Sequence, residues 1–253
     1  MKRDMHRYLR KFKTFFNVIK YRILESRYKG VSYLFLPKNS TTLLISFSAL
    51  PANNIRVYNN VNGFSNLNVD RLYIKDSWGY RGSYYYYERG EQKPFLKCCA
   101  LIEKILSERH YSRIITAGTS KGGSCAIIFG LKYQASDIFA GACQYHIGDF
   151  LSVPCHKQIL DSMIGKNMDR ESFINELNSI LPQSIIKYKK TQSTVHLIYS
   201  KKDKTYQDHL VDLIAELKRN GINTLEYECD YVEHNDVGYH FIPIVNEWFK
   251  NNI

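Results

Sequence analysis

The sequence predicts an α/β fold with a mostly parallel central sheet flanked by helices. From residue 31 onward, short apolar runs bounded by Asn, Gly and Pro alternate with helical patterns, and strands joined through helices favour parallel pairing. A chain of 253 residues with 44% hydrophobic residues can bury one sizeable core. This composition excludes the disordered, collagenous and low-complexity classes, which bury too little apolar surface to offset chain entropy.

Residues 1–30 predict a basic amphipathic helical extension. The segment holds ten Lys or Arg residues against two acidic ones, which is +8 of the net charge of +11. Its apolar residues recur at spacings of three and four, which places them on one helix face: Met5, Leu9, Phe12, Phe16, Ile19 and Ile23. Such a helix suits docking on the domain itself, an anionic membrane surface or a partner protein, and the sequence leaves all three open.

The sequence lacks several features, and their absence determines what we expect of the protein's location, metal content and partners. No stretch approaches the run of about 18 apolar residues that crosses a bilayer, and the N-terminus lacks the apolar segment of a signal peptide. We therefore expect a cytoplasmic protein, peripheral at the inner membrane face if the extension binds lipid. The six cysteines form no CxxC pair and lack a histidine cluster, so we expect no metal. Without a nucleic-acid-binding signature, we expect no nucleic-acid partner.

One catalytic domain is predicted for residues 31–253. Its strands are predicted where apolar runs end in turn residues, at 31–36, 42–47, 71–74, 113–117, 138–144, 194–199 and 224–231. Its helices are predicted from apolar residues at helical spacing, at 94–108, 122–133, 172–181, 206–219 and 240–251. Residues 151–181 interrupt the alternation and predict a lid insertion over the ligand site, which in this architecture lies at the carboxyl ends of the strands.

The turn between the fourth predicted strand and the next helix carries a chemical signal. Gly118, Ser120 and Gly122 form a GxSxG pattern between an apolar strand and a helix, which is the context of a nucleophile elbow. A tight turn exposes the serine hydroxyl, while the glycines allow strand and helix to pack closely. Neither the GxxxxGK[ST] nor the GxGxxG spacing of phosphate-binding loops is present. Ser120 is the predicted nucleophile, and the backbone amide of Lys121 a predicted oxyanion donor.

A serine nucleophile needs a base and an acid, which in this fold follow it in the order acid, then His. Asp203 comes just past a predicted strand, where the orienting carboxylate belongs, whereas its rival Asp208 lies within the following helical pattern. His234 lies on the loop before the last helix, where the general base is expected. The sequence therefore predicts a triad of Ser120, His234 and Asp203.

Further candidates lie on neighbouring loops. The second oxyanion donor is expected after the strand at 42–47, from the backbone amide of Ser48 or Ala49. His146 is a candidate to line the site, and His209 is expected on a helix surface. The sequence does not determine which amide points inward.

These residues resemble a group of α/β-hydrolase-like proteins encoded with bacterial capsule and surface-glycan genes, including capsular polysaccharide O-acetyltransferases. The similarity covers most of residues 31–250. It rests on ISFSALP, YRGSYYY, GTSKGG, SKKD and EHND, at 45–51, 80–86, 118–123, 200–203 and 233–236. The resemblance implies the same triad, with acetyl-CoA as the acetyl donor and a glycan hydroxyl as the acceptor. The basic extension is not among the shared blocks.

Two residues of the YRGSYYY block are candidate substrate contacts. Arg81 either pairs with a carboxylate as a structural residue or orders the oxyanion loop and binds an anionic group. Tyr84 either stacks on a sugar ring or belongs to a strand that is half core and half surface.

The predicted function is a serine-dependent O-acetyltransferase that moves acetyl from acetyl-CoA, through an acyl-serine, to hydroxyls of a bacterial capsular or surface polysaccharide. A carboxylesterase or deacetylase would use the same triad, because hydrolysis and transfer differ in whether water or a sugar hydroxyl reaches the acyl-serine. A non-catalytic component of glycan export or assembly is a further alternative, because fold alone does not determine function. The extension is a candidate contact with the membrane or with a capsule-assembly complex.

Overall fold

The computed structural model describes residues 21, 23–51 and 55–253. These residues contain one sheet of eight strands. The strands are β1 (Ser26–Tyr28), β2 (Val31–Leu36), β3 (Thr42–Phe47), β4 (Asp70–Ile74), β5 (Arg113–Thr119), β6 (Asp137–Gly141), β7 (Thr194–Tyr199) and β8 (Asn223–Glu228). Their order is β1-β2-β4-β3-β5-β6-β7-β8. The pairs β1–β2 and β2–β4 are antiparallel, and every other pair is parallel.

Helices follow each strand from β4 to β8. They are α1 (Lys93–Glu108), α2 (Lys121–Lys132), α3 (Ile147–Ser152), α4 (Lys157–Met163), α5 (Arg170–Lys187), α6 (Val211–Arg219) and α7 (Val237–Asn252). A π-helical turn at Tyr206–Leu210 leads into α6, and short 3₁₀ turns occur at Pro154–His156 and His234–Asp236. Among the described residues, no helix combines the length and apolarity required to span a membrane.

Strand β3 shows why the centre of the parallel sheet is rich in apolar residues. All six of its residues are buried, because helices cover both faces of the sheet. Leu43 and Ile45 pack into the cluster that includes α1 and α2, while Leu44 packs into the cluster on the other face with Phe241 of α7. Successive side chains point to opposite faces, so a strand buried on both faces is mostly apolar, and in β3 only Thr42 and Ser46 are polar.

The predicted α/β class with a mostly parallel sheet is confirmed, and the differences lie at element ends. Strand β6 ends at Gly141 rather than at residue 144, because Ala142 adopts a positive φ of 40° and leaves the extended conformation. Strand β8 ends at Glu228 rather than at residue 231. The interruption predicted at 151–181 contains α4 and part of α5, and the helical region begins earlier with α3.

The sheet begins inside the predicted N-terminal extension. Ser26–Tyr28 form β1 and pair with β2 at the sheet edge, so the helical interpretation of residues 1–30 is wrong for these three residues. A strand this short, with Arg27 at its centre, shows no apolar run that would predict it. The remainder of the predicted helix up to residue 20 lies outside the described residues.

A buried ion pair fixes the first residue of α2. The Lys121 ammonium lies 2.6 Å from the Asp76 carboxylate, and both side chains are almost completely buried. The ammonium also lies 4.5 Å from the centre of the Tyr85 ring. Backbone amides of Ser83 and Tyr85 donate to the same Asp76 oxygen, at 2.8 and 3.2 Å. The carboxylate is thereby compensated by a cation and by two amide donors.

We expect Lys121→Met to lower the free energy of unfolding by about 3 to 5 kcal/mol, because it leaves the buried Asp76 carboxylate without its cation. The measurement is urea unfolding at neutral pH. Lys202→Met is the matched control, because Lys202 and Asp230 form an exposed pair at the same 2.6 Å distance, for which we expect a loss of about 1 kcal/mol or less. Equal losses in the two variants would contradict the role of the buried pair.

Candidate functional site

Ser120 lies on a sharp turn between β5 and α2. Its backbone has φ 53° and ψ −128°, a strained combination for a non-glycine residue. A Cβ atom at Gly118 would lie 2.2 Å from the carbonyl oxygen of Gly122, and one at Gly122 would lie 2.4 Å from that of Phe47. Strand and helix therefore approach so closely that glycine is required at both positions. The local geometry is that of a nucleophile elbow.

The side chains of Ser120, His234 and Asp203 form a continuous hydrogen-bonded chain. His234 Nε2 lies 3.0 Å from Ser120 Oγ, and His234 Nδ1 lies 2.9 Å from Asp203 Oδ2. The Asp203 side chain is buried, whereas about a third of the His234 side chain is exposed. The structure thus brings together the three residues predicted as a triad, at distances that permit proton transfer.

Asp203 is held in its ionised form. Burial acts to raise the pKa of this carboxyl, but hydrogen bonds from His234 and from the Thr205 amide outweigh burial and lower the pKa below its usual value. An ionised carboxylate only accepts hydrogen bonds, so His234 Nδ1 carries the proton and Nε2 is free to accept the Ser120 hydroxyl proton. Thr205, whose hydroxyl lies 2.9 Å from His234 Nδ1, is a neighbour that the sequence analysis missed.

Gln144 is a second residue that the sequence analysis missed. Its side-chain nitrogen Nε2 donates to Ser120 Oγ at 3.0 Å, and its side-chain oxygen Oε1 accepts from the Tyr84 hydroxyl at 3.2 Å. The residue is fully buried, and with its side-chain oxygen facing the Tyr84 hydroxyl, its amide nitrogen faces the serine. Its place at the end of a predicted strand was the sequence signal that could have found it.

The predicted oxyanion donors have different surroundings. Lys121 is the first residue of α2, directly after Ser120. The Ser48 amide donates at 2.8 Å to the hydroxyl of Tyr85, which is fully buried, so Ser48 is excluded as an oxyanion donor. The Ala49 amide donates at 3.1 Å to Asn59 Oδ1, and both residues line the cavity at Ser120. Ala49 therefore remains the candidate on this loop.

Two of the three predicted substrate contacts are placed away from the cavity. Tyr84 is completely buried with φ 56°, so no face of its ring is available to a sugar. His146 is not part of the cavity wall, because its imidazole binds Asp212 of α6 at 2.8 Å. Arg81 does line the cavity, and its Nε donates at 2.7 Å to the carbonyl of Pro51. Arg81 thus binds the loop after β3 instead of a carboxylate.

A cavity of about 1050 Å³ opens at the triad. Its wall includes Phe150, Val153 and His156 from the helical region between β6 and β7, and the last two lie within the lid insertion predicted at 151–181. His209 also lines it and is 6% exposed, so the expectation that His209 lies on a helix surface is wrong. Within the described ranges, no group of three or more His, Cys, Asp or Glu side chains is arranged to hold a metal ion.

The sheet order, the strained serine turn and the hydrogen-bonded triad together define an α/β-hydrolase fold. No family model matches the sequence, and no curated protein matches it significantly. Solved structures do match: that of the capsule O-acetyltransferase of Neisseria meningitidis serogroup A has a TM-score of 0.79 and 21% identity, over 89% of this chain and 94% of that one. A histidine-to-alanine mutant of that enzyme, in complex with CoA, matches with a TM-score of 0.77.

Two other similar structures belong to different systems. The Glycosylation Associate Protein complex of Streptococcus agalactiae has a TM-score of 0.72 and 19% identity, over 90% of this chain and 46% of that one. The serine hydrolase FphF of Staphylococcus aureus has a TM-score of 0.63 and 13% identity, over 89% and 96%. The resemblance to capsular polysaccharide O-acetyltransferases is thus confirmed at the level of the fold.

The buried imidazole of His209 should make stability depend on pH. Burial, together with the nearby His146, lowers the pKa of His209 from 6.5 to about 4. The unfolded chain therefore binds a proton between about pH 6.5 and 4 that the folded protein does not, so the free energy of unfolding falls as the pH falls through this range. We expect a contribution of up to about 3 kcal/mol, absent in His209→Gln.

The measurement is urea unfolding of wild type and His209→Gln at a series of pH values. The difference between their free energies of unfolding separates the contribution of His209 from that of the carboxylates, which both proteins share. Parallel stability curves for wild type and His209→Gln across this range would show that the imidazole is not held neutral.

Proposed function

We propose that the protein is a serine-dependent O-acetyltransferase, which moves acetyl from acetyl-CoA through an acyl-Ser120 to hydroxyls of a bacterial capsular or surface polysaccharide. The observation that carries this proposal is the chain of hydrogen bonds from Ser120 through His234 to Asp203, open to a large cavity. The fold it shares with a capsule O-acetyltransferase over nearly the whole described chain supports the choice of reaction, and the CoA complex of that enzyme supports the choice of donor.

The first half-reaction forms the acyl-enzyme. Ser120 Oγ attacks the thioester carbon while its proton passes to His234 Nε2, and Asp203 stabilises the resulting imidazolium. The tetrahedral intermediate collapses, the carbon–sulfur bond breaks, and His234 returns the proton to the departing sulfur. Coenzyme A leaves as a thiol, and the acetyl group remains on Ser120 as an ester.

The second half-reaction repeats these steps with a sugar hydroxyl. The hydroxyl gives its proton to His234 as its oxygen attacks the ester carbon, and the intermediate collapses to release Ser120 Oγ. His234 then returns the proton to Ser120, so proton and charge balance over the cycle. The oxyanion of both intermediates would be bound by the amides of Lys121 and Ala49, the latter exchanging Asn59 for the substrate oxygen.

Gln144 acts as a positioning residue in this scheme. Its amide donates to Ser120 Oγ at 3.0 Å, while His234 Nε2 lies 3.0 Å from the same oxygen, so the two contacts together hold the hydroxyl in the rotamer that faces His234. The same hydrogen bond strengthens as negative charge develops on Oγ. In this proposal the catalytic domain begins with β1 at Ser26, and the basic residues that precede β1 make the contact with the membrane or with an assembly complex.

Hydrolysis is the second candidate function, and the structural similarity to FphF favours it. Water and a sugar hydroxyl would attack the same acyl-serine, so the triad serves both reactions equally. A cavity of about 1050 Å³ has room for either nucleophile. The two activities are separated by the fate of the acyl-enzyme when a glycan is added.

We expect acetyl-CoA to raise the intact mass of the protein by one acetyl group and to release free coenzyme A. In Ser120→Ala the adduct should be absent, because the nucleophile is gone. For the rate of coenzyme A release we expect losses of about 10⁶-fold in Ser120→Ala and His234→Ala and about 10⁴-fold in Asp203→Ala. Intact-protein mass spectrometry and a thiol assay measure these effects.

Two outcomes would redirect the proposal. An adduct that persists in Ser120→Ala would place the acyl group elsewhere. Release of acetate at a rate that added capsular or surface polysaccharide leaves unchanged would favour the hydrolase.

We expect Gln144→Met to slow acylation of Ser120 about tenfold, the factor for one lost hydrogen bond of about 1.4 kcal/mol, while the KM for acetyl-CoA stays the same. Stopped-flow measurement of the first turnover separates these quantities. Gln183→Met is the matched control, because the exposed Gln183 also donates to a serine oxygen, that of Ser179, at 3.0 Å. Similar first-turnover rates in both variants would rule out positioning by Gln144.

A further inference from the structure

The cavity at Ser120 has two walls of different chemistry. One wall, here called the insertion-side wall, is formed by Asp149, Phe150, Val153, His156, Asp208 and His209. On the other wall lie Ala49, Asn59, Asn60 and Arg81. A reaction that joins an acyl donor to an acceptor needs a place for each, and the two walls differ in what they can bind.

His209 presents a hydrogen-bond donor to the cavity. Its Nδ1 accepts the backbone N–H of His146 at 3.3 Å, so in the neutral ring Nε2 carries the proton. Among the described residues, none accepts a hydrogen bond from this Nε2. The side chain is more than nine-tenths buried, yet it is part of the cavity wall, so the Nε2–H group is directed at the space beside the triad.

The charges on the two walls separate the substrates. Asp149 and Asp208 place two carboxylates on the insertion-side wall against one cation, Lys204, which also lines the cavity and lies 3.5 Å from Asp208. The phosphate groups of a coenzyme A donor are repelled by carboxylates and attracted by the Arg81 guanidinium on the opposite wall. Sugar hydroxyls both donate and accept hydrogen bonds, so carboxylates beside a neutral N–H donor suit them.

The insertion-side wall also offers apolar surface. The rings of Phe150 and His156 lie 4.3 Å apart between centres and are tilted by 32° to each other, and both side chains are partly exposed. His156 is fixed by a hydrogen bond of 2.8 Å between its Nδ1 and the carbonyl of Phe150. Apolar ring edges next to polar groups match a sugar, which has carbon–hydrogen faces and a hydroxyl rim.

We propose that the insertion-side wall is the acceptor subsite and that His209 Nε2–H donates to a hydroxyl oxygen of the acceptor sugar. This inference rests on the proposed acetyl transfer. Coenzyme A is then bound along the wall that carries Arg81, and the two substrates approach Ser120 from different sides. His209 binds the acceptor in this arrangement and takes no part in proton transfer.

Two substitutions of His209 separate its two nitrogen atoms. In His209→Asn, the amide oxygen can accept the His146 N–H in place of Nδ1, and the donor toward the cavity is lost. In His209→Gln, the longer side chain carries its amide nitrogen near the position of Nε2, so the donor is kept. Thermal unfolding of both variants checks that the fold is retained.

The experiment follows the decay of acetyl-Ser120 after excess acetyl-CoA is removed, with and without a mixture of methyl glycosides of common hexoses and amino sugars as the acceptor probe. We expect the probe to accelerate decay in wild type and in His209→Gln, and to do so about tenfold less effectively in His209→Asn. Formation of the acyl-enzyme from acetyl-CoA should be the same in all three proteins.

Each contrary result has a distinct meaning. If wild type forms no acyl-enzyme, the proposed function fails. If the acyl-enzyme forms but the probe does not accelerate its decay, or accelerates it equally in His209→Asn, the acceptor subsite is overturned and the acylation step stands. If His209→Asn slows formation of the acyl-enzyme, the residue belongs to the donor side and the proposal is wrong.

Discussion

The buried contact between Lys121 and Asp76 connects the parts from which the site is built. Lys121 begins the helix that follows the serine, and Asp76 gathers the amides of Ser83 and Tyr85 around the same charge. The Tyr85 hydroxyl in turn fixes the Ser48 amide and bonds to the carbonyl of Ile74. One ion pair thus holds three segments in a single arrangement: the turn at Ser120, the loop that contains Ser83 and Tyr85, and the loop after β3. It does so because the hydrogen-bonding groups of these segments have no access to water as an alternative partner.

The sheet then supplies the chemistry in a regular way. Each of four neighbouring strands ends shortly before one residue of the site. Strand β5 precedes Ser120, β6 precedes Gln144, β7 precedes Asp203 and β8 precedes His234. Parallel strands about 4.8 Å apart bring their carboxyl ends to one edge, so residues far apart in sequence meet there without a dedicated contact to guide each of them. Hydrogen bonds run from Gln144 through Ser120 and His234 to Asp203. This path depends on the order of the strands as much as on the individual side chains.

How far the sequence predicted this arrangement depended on the kind of signal. The strands, the serine turn and the places of Asp203 and His234 were predictable, because apolar runs and tight glycine turns are local patterns. Tyr84 was not, because its positive φ turns the ring into the core and reverses what strand alternation suggests. His209 was misplaced because helical periodicity assumes 3.6 residues per turn, and this residue lies in a π-helical turn. Gln144 had no motif of its own.

The π-helical turn has a consequence for comparing this chain with its relatives. A turn closed over five residues instead of four holds one more residue than an α-helix does, and one residue corresponds to a rotation of about 100°. A relative that lacked a single residue within Tyr206–Leu210 would keep the loop with Asp203 before the turn and would keep α6 after it. A different side chain would then face the cavity. Single-residue gaps at this point would therefore mark changes in ligand preference.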